Sequence, residues 1–369
     1  MSAAPASGTR RLYRLALIGF GTVGQGLAQI VAERGEALAE TTGAELRIDA
    51  VVDPRYGGVA SSRGFAPEAL LDASRQGSFG ALPAELRDLD AVAAIRDADV
   101  DVVAEMSVTD LAHGEPGSGH VRAALAAGRH VVTTNKGPVA LHYAELAELA
   151  AAHGVTLGVE GTVMSGTPTL GLGTEQLAGA GVTGVTGILN GTTNYMLGRM
   201  EAGLAFEEAL AEAQTLGYAE ADPSGDVDGI DAAGKAVILA NLVMGARLGM
   251  ADVARRGIRD LTPEDMRAAA DAGEAWKLLT EVRRVGDAVR AEVRPARLSR
   301  DHPVAAVGGA VNACTFATEL LGDVTLVGPG AGRSETGYAL IHDLLAIHRR
   351  EAYGRERQQR EARRREARP

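Results

Sequence analysis

One stretch near the N-terminus restricts the fold of this chain more than any other. "YRLALIGFGTVGQGLAQIVAERG" begins as an apolar run, turns through glycines spaced G-x-G-x-x-G, and continues with the apolar spacing of a helix. The glycine spacing alone is a weak signal in a chain with 47 glycines. A preceding strand and a following helix are, however, the context that a phosphate-binding turn requires. The stretch therefore predicts the first βα unit of a parallel sheet.

Each glycine of the turn has a separate physical role in such a unit. Gly19 allows the tight turn, Gly21 lets the backbone approach a pyrophosphate, and Gly24 lets the helix pack on the strand. Thr22 and Val23 complete the turn, where the free N–H groups of the helix N-terminus attract phosphate. These five residues are the predicted dinucleotide contacts.

The end of the second predicted strand, "LRIDAVVDP", bears on which dinucleotide is bound. Asp53 would accept hydrogen bonds from the adenosine ribose, although it lies further along the chain than the usual ~20 residues. Arg55 could instead meet a 2′-phosphate. An aspartate before Pro54 is also compatible with a simple turn. The choice between NAD and NADP stays open at this point.

Strands alternate with helices through the first 140 residues. "DADVDVVAEMS" and "GRHVVTTNKGP" are predicted strands, and "GHVRAALAAG" is a predicted helix between them. This alternation indicates an α/β fold with a Rossmann-type, doubly wound parallel sheet and right-handed crossovers. The polar segment 59–96 is predicted to be an irregular excursion from it.

The pattern changes to mixed α+β in the second part of the chain. "VTLGVEGTVMSG", "GVTGVTGILNGTTNYM" and "VRAEVRPARL" are predicted strands. The predicted helices are "ALHYAELAELAAAHG", "FEEALAEAQTLG", "IDAAGKAVILANLVMGARLG" and "TPEDMRAAADAGEAWKLLTEV". The second domain is therefore expected to differ in architecture from the first.

Composition narrows the class of partner. A net charge of −11 argues against a nucleic acid or an anionic membrane. No apolar run approaches the ~20 residues of a membrane span, and the N-terminus lacks the apolar region of a signal peptide. The single cysteine, Cys314, excludes an internal disulfide. We expect a cytoplasmic protein with a small-molecule substrate.

Lysine is rare in this chain, and its rarity draws attention to one acidic segment. Lys136, Lys235 and Lys277 are the only lysines, and arginine is used elsewhere. The segment "EADPSGDVDGIDAAGK" combines five carboxylates with Lys235. On a helix, Asp231 and Lys235 share a face, as in a simple surface ion pair. The apolar run after Lys235 instead indicates that this part of the helix is buried.

Burial separates lysine from arginine chemically, because it can lower the pKa of lysine far enough for proton exchange. A buried lysine beside carboxylates, in a dinucleotide-binding chain, favours general acid–base chemistry on an alcohol/carbonyl pair. The other carboxylates could bind a cationic group of the substrate. Lys136 follows a strand at the sheet edge where ligands bind, or simply caps a loop. Lys277 is predicted to be structural, on an amphipathic helix with its charged end at the surface.

Seven stretches match one known family between about residues 15 and 347. They are "IGFGTVGQG", "HVVTTNKGP", "VEGTVMSGTP", "ILNGTTNYML", "LGYAEADPSGDVDGIDAAGKAVILA", "HPVAAVGGAVNA" and "VGPGAG". The most specific are the NGTTNY segment and the run E-x-D-P-x-x-D-x-x-G-x-D-x-x-x-K. In these motifs the chain resembles homoserine dehydrogenase.

The resemblance implies NAD(P)-dependent interconversion of L-homoserine and L-aspartate 4-semialdehyde, a step toward threonine, methionine and isoleucine. It implies that Lys235 is the proton donor/acceptor, that Lys136 assists, and that Asp231 orients the lysine. Glu220, Asp226 and Asp231 would hold the substrate amino group. Three polar residues, for which packing and capping are equal alternatives, have no separate roles assigned: Asn190, Thr192 and Tyr195.

The resemblance also implies ligand contacts outside the acidic segment. Cofactor contacts are expected at Ser107, Lys136, Gly330 and Gly332. A monovalent cation, usually sodium, is expected at Glu160 and the backbone carbonyls of Val163, Ser165 and Thr167. The residues after GPGAG, Arg333-Ser334-Glu335, are larger and more charged than is usual in the family.

The expected organisation follows the family. It comprises a dinucleotide-binding domain (1–140), a mixed substrate and dimerisation domain (141–310), a return to the first domain (311–348), and a basic tail (349–369) that is disordered or a frayed helix. A homodimer is expected. Two other functions stay open: a dehydrogenase of another amino-acid alcohol or semialdehyde, and a non-catalytic dinucleotide sensor.

Overall fold

The glycine turn follows the first strand of a seven-stranded sheet in the computed structural model, which describes residues 10–366. The strands are β1 (Arg11–Ile18), β2 (Ala44–Asp53), β3 (Gly57–Phe65), β4 (Leu86–Arg87), β5 (Val102–Glu105), β6 (His130–Thr133) and β7 (Leu157–Gly158). Their order is β4-β3-β2-β1-β5-β6-β7. Strands β2, β1, β5, β6 and β7 are parallel neighbours. The predicted Rossmann-type sheet is confirmed.

The segment 59–96 is ordered, so the prediction of an irregular excursion was wrong. Strand β3 pairs antiparallel with β2, and β4 pairs antiparallel with β3. Helices α2 (Pro67–Arg75) and α3 (Ala91–Asp97) follow β3 and β4. The strand was missed because residues near its end, such as Ser62 and Arg63, are exposed, and a partly solvated strand has no continuous apolar run.

Helices cover both faces of the first sheet. They are α1 (Thr22–Thr42), α4 (Gly117–Ala126), α5 (Lys136–Ala152) and α12 (Arg333–Glu366). On one face α1 and α12 bury Leu27 and Leu344 against Leu17. On the other, α4 and α5 bury Val121 and Leu146 against the sheet. The chain therefore returns to the first sheet through α12.

Six strands form the second sheet within residues 10–366. They are β8 (Val182–Ile188), β9 (Val253–Arg255), β10 (Glu274–Val285), β11 (Ala288–Ser299), β12 (Val311–Thr318) and β13 (Gly322–Pro329). The order is β13-β12-β8-β10-β11-β9, antiparallel except between β11 and β9. The remaining helices are α6 (Thr169–Gly171), α7 (Gly191–Glu201), α8 (Phe206–Thr215), α9 (Ser224–Val227), α10 (Ile230–Val243) and α11 (Pro263–Asp271). The mixed second fold is confirmed.

Two segments have a different secondary structure from the one predicted for them. "NGTTNYM" is not a strand, because Asn190 accepts the N–H of Thr193 at 2.9 Å and so caps α7. "VTLGVEGTVMSG" contains only the two-residue β7 and a 3-10 turn at Glu160–Thr162. In both segments the β-branched residues suggested a strand that local capping or turn formation overrides.

Lys277 lies on strand β10 and is buried, so its predicted place on an amphipathic helix was wrong. Helix α11 ends before Gly273, whose φ of +71° stops it, and β10 follows. Lys277 Nζ donates to Asn194 Oδ1 at 3.0 Å and to the Val307 carbonyl at 2.6 Å. Burial lowers the pKa of this ammonium group. Its charged end does not reach the surface.

Strands β12 and β13 belong to the second sheet, so the chain crosses to the first sheet after residue 329 rather than at 311. Helix α12 then continues to Glu366 and carries i,i+4 ion pairs such as Glu351–Arg355 and Arg357–Glu361. No helix in the described range is both long and apolar enough to cross a membrane. The other domain limits stay predictions.

Candidate active site

The glycine turn lies at the carboxyl edge of β1, against the residue that follows β5. Gly19 has a φ of +96°, and a Cβ added there would lie 2.5 Å from the Met106 carbonyl oxygen. A Cβ on Gly24 would lie 2.5 Å from the Gly19 carbonyl oxygen. Only glycine fits at either position, so the turn keeps the N-terminus of α1, which begins at Thr22, open to a ligand.

A cavity of about 860 Å³ opens beside this turn. We call it the turn cavity; its walls include Gly19, Gly21, Val52, Asp53, Arg55, Leu89, Met106, Ser107, Val108 and His120. Most of these residues follow the carboxyl ends of β1, β2 and β5, where open α/β sheets bind ligands. The cavity has the volume and the partly apolar lining of a cofactor site.

Asp53 ends β2 with its carboxylate against the turn. It accepts the Phe20 N–H at 2.8 Å and the Arg55 Nε–H at 3.0 Å. Burial alone would raise the pKa of Asp53, but the hydrogen bonds from Arg55 and Phe20 outweigh it and lower the pKa. Arg55 is more than half exposed, and a Cβ on Gly21 would lie 3.5 Å from its Nη2. The guanidinium group therefore lies over the turn while paired with Asp53.

A second, smaller cavity of about 260 Å³ lies between the two sheets. We call it the lysine cavity; its walls include Val23, Met106, Ser107, Thr134, Asn135, Lys136, Thr162, Ser165, Lys235 and Gly330. Met106 and Ser107 line both cavities, so the two adjoin. A dinucleotide in the turn cavity that extends past these two residues reaches the lysines.

Asp231 lies between two lysines at the lysine cavity. Lys235 Nζ donates to Asp231 Oδ2 at 2.7 Å and to the Leu189 carbonyl at 2.5 Å. Lys136 Nζ lies 3.3 Å from Asp231 Oδ1. Burial alone would raise the pKa of Asp231, but the two ammonium groups outweigh it and lower the pKa far below its usual range. Asp231 thus contacts both lysines, Lys136 at the start of α5 and Lys235 on α10.

Asn190 connects this cluster to Asp226. Its Oδ1 caps α7, which leaves Nδ2 to donate to Asp226 Oδ1 at 2.7 Å and to Asp231 Oδ2 at 3.0 Å. Burial raises the pKa of Asp226 while the hydrogen bond from Asn190 opposes the rise. A cationic group beside Asp226 would stabilise its charged form.

Glu220 and Tyr195 lie outside the cluster, whereas Thr192 lies beside Asp226, where its side chain and that of Asn190 oppose the burial that raises the pKa of Asp226. Glu220 is exposed, and its carboxylate has no hydrogen bond to another residue of the described chain. Thr192 donates its hydroxyl to the Tyr218 carbonyl at 2.7 Å, and the Tyr195 ring packs on Tyr218 with centroids 5.0 Å apart. Tyr195 therefore has a packing contact, Thr192 has both a backbone contact and a place beside Asp226, and their roles in substrate binding stay predictions.

Glu160, the predicted side-chain ligand for sodium, is buried and already accepts two backbone hydrogen bonds. Its carboxylate oxygens accept the N–H groups of Leu170 at 2.8 Å and Gly171 at 2.7 Å. Burial raises the pKa of Glu160. The described residues contain no group of three or more His, Cys, Asp or Glu side chains that could hold a metal ion. A cation here would depend on backbone oxygens.

The three predicted backbone ligands lie in the loop that follows Glu160. Ser165 has a φ of +55°, and its hydroxyl lies 2.7 Å from that of Thr336 on α12. The Thr167 carbonyl accepts the Thr169 N–H at 2.7 Å. Together with Val163 the loop offers oxygen donors of the type that hard cations bind, although Thr167 is already partnered.

The late glycines lie where the chain crosses between the sheets. Gly330 lines the lysine cavity, and a Cβ there would lie 2.2 Å from the Asn312 side chain. Gly332 has a φ of +142° and precedes α12. The backbone of Arg333, in the unusually charged segment, packs against Gly26 of α1, where an added Cβ would lie 2.0 Å from the Arg333 oxygen. The charged residues therefore leave the helix contact intact.

Sequence reasoning missed Glu105, a fully buried carboxylate whose partner Ser107 lines both cavities. Ser107 donates its N–H and its hydroxyl to Glu105, and His120 Nδ1 lies 3.3 Å from it. Asn135, also missed, caps α5 by accepting the Gly137 N–H at 3.1 Å and so positions Lys136. An acidic residue at the carboxyl end of an apolar strand was the available signal for Glu105.

The turn cavity, opening onto a lysine paired with a carboxylate, defines a dinucleotide-dependent dehydrogenase. The family model described as "Homoserine dehydrogenase, NAD binding domain" matches residues 19–160, and the one described as "Homoserine dehydrogenase" matches 168–345. The chain belongs to the homoserine dehydrogenase family, and it is an NAD(P)-dependent oxidoreductase of amino-acid biosynthesis.

Similar proteins extend over most of the chain. The NAD(+)-dependent homoserine dehydrogenase of Pseudomonas canavaninivorans is 47% identical over 339 residues, covering 91% of this chain and 96% of that protein. The enzyme of Methanocaldococcus jannaschii is 37% identical, with 90% and 97% covered. Among solved structures, the Thiobacillus denitrificans enzyme has a TM-score of 0.82 at 32% identity, covering 93% of this chain and 74% of that one. A hyperthermophilic archaeal enzyme in complex with NADPH has a TM-score of 0.80 at 30% identity, with 92% and 98% covered.

Proposed function

We propose that this chain interconverts L-homoserine and L-aspartate 4-semialdehyde, with Lys235 exchanging the proton at the substrate oxygen. The observation that carries this proposal is the placement of Lys235 Nζ, 2.7 Å from Asp231, in the wall of the cavity that adjoins the turn cavity. When bound, the nicotinamide cofactor takes or supplies the hydride. The family assignment supports the same reaction, in the synthesis of threonine, methionine and isoleucine.

Lys235 takes the hydroxyl proton when homoserine is oxidised and returns it when the semialdehyde is reduced. Lysine can exchange a proton in this way, whereas arginine cannot at neutral pH. Asp231 and the Leu189 carbonyl hold two of the Nζ donors, which aims the remaining one. Lys136 places a second cationic group at the same carboxylate and assists at the substrate oxygen.

Asp226, oriented by Asn190, is the proposed contact for the substrate ammonium group. It is a half-buried carboxylate whose partner is an amide rather than a cation. The substrate ammonium group would therefore supply the positive charge that Asp226 lacks in the free protein. Glu220 lies outside this cluster, so its predicted role in substrate binding rests on the family motif alone.

The test is an assay of NAD(P)H formation at 340 nm with L-homoserine, on the wild-type chain and Lys235→Arg. We expect the variant to keep cofactor affinity and to lose about 10²- to 10⁴-fold in kcat, the usual contribution of a general acid–base group. Near-normal kcat in the variant would remove Lys235 from the mechanism. Cofactor binding without homoserine turnover in the wild-type chain would favour a related substrate or a sensor.

NAD is the proposed preferred cofactor, supported by the pairing of Asp53 with Arg55. The Asp53 carboxylate would repel a 2′-phosphate, and Arg55 is already engaged by it at 3.0 Å. The relatives do not select one cofactor, since the Pseudomonas enzyme is named NAD(+)-dependent and the archaeal structure contains NADPH. Measuring kcat/KM with each cofactor tests the preference, and a larger value with NADP would overturn it.

Sodium, a homodimer and a cytoplasmic location complete the proposal. Oxygen donors without an acidic cluster suit a monovalent cation at the loop after Glu160. Activity that is equal in sodium and in choline chloride would count against it. Exposed apolar residues around strand β13, Leu320, Leu321 and Val327, support a self-association surface. A monomer mass by light scattering would contradict the dimer.

A further inference from the structure

Glu105 is a buried carboxylate for which the proposed reaction has no use. It ends β5, an interior strand of the first sheet, and is 0% exposed. Among the described residues no arginine or lysine pairs with it, and its one ionisable partner is His120, whose Nδ1 lies 3.3 Å away. Burying a charge without an arginine or lysine partner is costly, so the presence of a carboxylate at this position needs an explanation.

The groups around Glu105 are arranged to receive an anion. Ser107 contributes its N–H at 3.1 Å and its hydroxyl. The Thr133 hydroxyl lies 2.9 Å from the Glu105 backbone carbonyl and 3.3 Å from the carboxylate oxygen Oε2, and it can donate to either. His120 uses Nδ1 toward the carboxylate, and its ring lines the turn cavity. Every partner is a donor or can act as one, and three of them converge on a single carboxylate oxygen, Oε1, which suits a charged carboxylate.

Glu105 lies close to the place where the nicotinamide end of the cofactor would bind. Ser107, one hydrogen bond from Glu105, lines both cavities. Thr133, its other partner, accepts the N–H of Asn135, which lines the lysine cavity beside Lys136. A nicotinamide ring that reacts next to Lys235 must lie near this junction. The ring is cationic when oxidised and neutral when reduced.

We infer that Glu105 is the counter-charge for the oxidised nicotinamide ring and makes the protein favour oxidised over reduced cofactor. The inference rests on the proposed function, because it needs the ring to lie at the junction of the two cavities. Glu105 acts through space and through Ser107, so it is a residue that sets cofactor selectivity rather than a catalytic residue. A unit charge several ångströms away, at an effective dielectric constant of about 20, changes affinity on the order of tenfold.

The test compares the Kd of NAD+ with the Kd of NADH by calorimetry, for the wild-type chain and Glu105→Gln. Glutamine keeps the shape and removes the charge, so we expect NAD+ binding to weaken about tenfold more than NADH binding. Glu105→Asp keeps the charge, and Thr133→Val removes a hydrogen bond without removing charge. Both should leave the ratio of the two Kd values within about twofold of wild type. An equal loss for both cofactor forms in Glu105→Gln would overturn the inference.

A second pair of variants changes His120, the partly exposed partner of Glu105, and so tests the effect of the same charge. His120→Lys places an ammonium group beside Glu105 and should lower the preference for NAD+, whereas His120→Gln should not. An unchanged ratio in His120→Lys would also overturn the inference, including where Glu105→Gln does not fold. If the wild-type chain binds neither NAD+ nor NADH, the proposed function itself fails. If it binds both and the ratio never responds to charge, only the role of Glu105 is lost.

Discussion

Two carboxylates that share Asn190 as a hydrogen-bond donor, Asp226 and Asp231, have pKa values shifted in opposite directions. The pKa of Asp231 is lowered because Lys235 and Lys136 more than offset its burial, whereas burial raises the pKa of Asp226, whose partner is an amide. At the residue scale, Asp231 is therefore paired within the protein. Asp226 holds a charge that a bound ammonium group would stabilise.

Replacing Asp226 by Asn should stabilise the free protein at neutral pH and weaken substrate binding. A raised carboxyl pKa means that the folded state binds more protons than the unfolded state, so wild-type stability falls as the pH rises above about 4. Asparagine does not ionise, so the variant does not lose stability in this way. The difference in Tm, variant minus wild type, should therefore be larger at pH 8 than at pH 4. We also expect KM for homoserine to rise at least tenfold with little change in KM for NAD. A variant with unchanged KM for homoserine would exclude Asp226 from substrate binding.

Replacing Asp53 by Asn should shift cofactor preference toward NADP. The substitution removes the charge that repels a 2′-phosphate and releases Arg55 to meet it. We expect the ratio of kcat/KM for NADP to that for NAD to rise about tenfold or more. Adding Arg55→Ala should cancel most of the gain. A gain that survives loss of the arginine would show that charge repulsion alone sets the preference.

At the scale of elements, α1 packs against α12 through close backbone contacts at two glycines, Gly26 of α1 and Gly337 of α12. A Cβ on Gly26 would lie 2.0 Å from the Arg333 backbone oxygen, whereas on Gly35 of the same helix the nearest atom would be 3.7 Å away. Gly26→Ala should therefore force the helices apart and lower the free energy of unfolding by about 1–3 kcal/mol. Gly35→Ala should raise it by roughly 0.5–1 kcal/mol through helix propensity. Urea unfolding midpoints measure both, and equal effects would contradict the role of this contact.

The elements that sequence patterns failed to predict have local or tertiary causes. "EAWKLLTEV" has enough apolar residues for either a helix or a strand, and Gly273 together with pairing to β8 and β11 selects the strand. The NGTTNY segment forms a helix because Asn190 caps it. A single sequence gives little indication of side-chain capping or of pairing with distant strands, so the secondary structure of these two segments was predicted wrongly.

At the scale of the whole molecule, the basic C-terminal helix divides into a docked part and an exposed part. Glu351 accepts the Tyr13 hydroxyl at 2.9 Å and lies 3.4 Å from His130 Nε2, so this turn is tied to the first sheet. Arg357 and Glu361, further along, contact each other and are exposed. Truncation after Arg355 should leave kcat and Tm near wild type. Truncation after His348 should lower Tm by leaving the buried Tyr13 hydroxyl with fewer partners.

The tail prediction is checked by thermal unfolding and by the 340 nm assay on both truncated chains. Glu351→Gln is the matched control, since it keeps the helix length and weakens only the contact with Tyr13 and His130. A large loss of Tm after truncation at Arg355 would mean that the exposed arginines contribute to stability.

Features that depend on neighbours along the chain were predictable from the order of the amino acids. These include the glycine turn, the spacing of Asp231 and Lys235 on one helix, and the change from an alternating to a mixed fold. The reason is that helix periodicity, strand burial and turn geometry act over a few residues. The family motifs extended this to Asp226, which has a fixed spacing from Lys235 in one motif, and to Lys136, which lies in a separate motif.

Only the tertiary structure decided which of these residues meet. Packing of α10 against α5 brings Lys136 to 3.3 Å from Asp231, whereas Glu220, which belongs to the same motif as Asp231, is left exposed. Tertiary packing also buries Glu105 at the end of β5 and Lys277 on β10, although the sequence indicated neither. Distances through space depend on how whole elements pack, and burial follows from that packing rather than from any one stretch of residues.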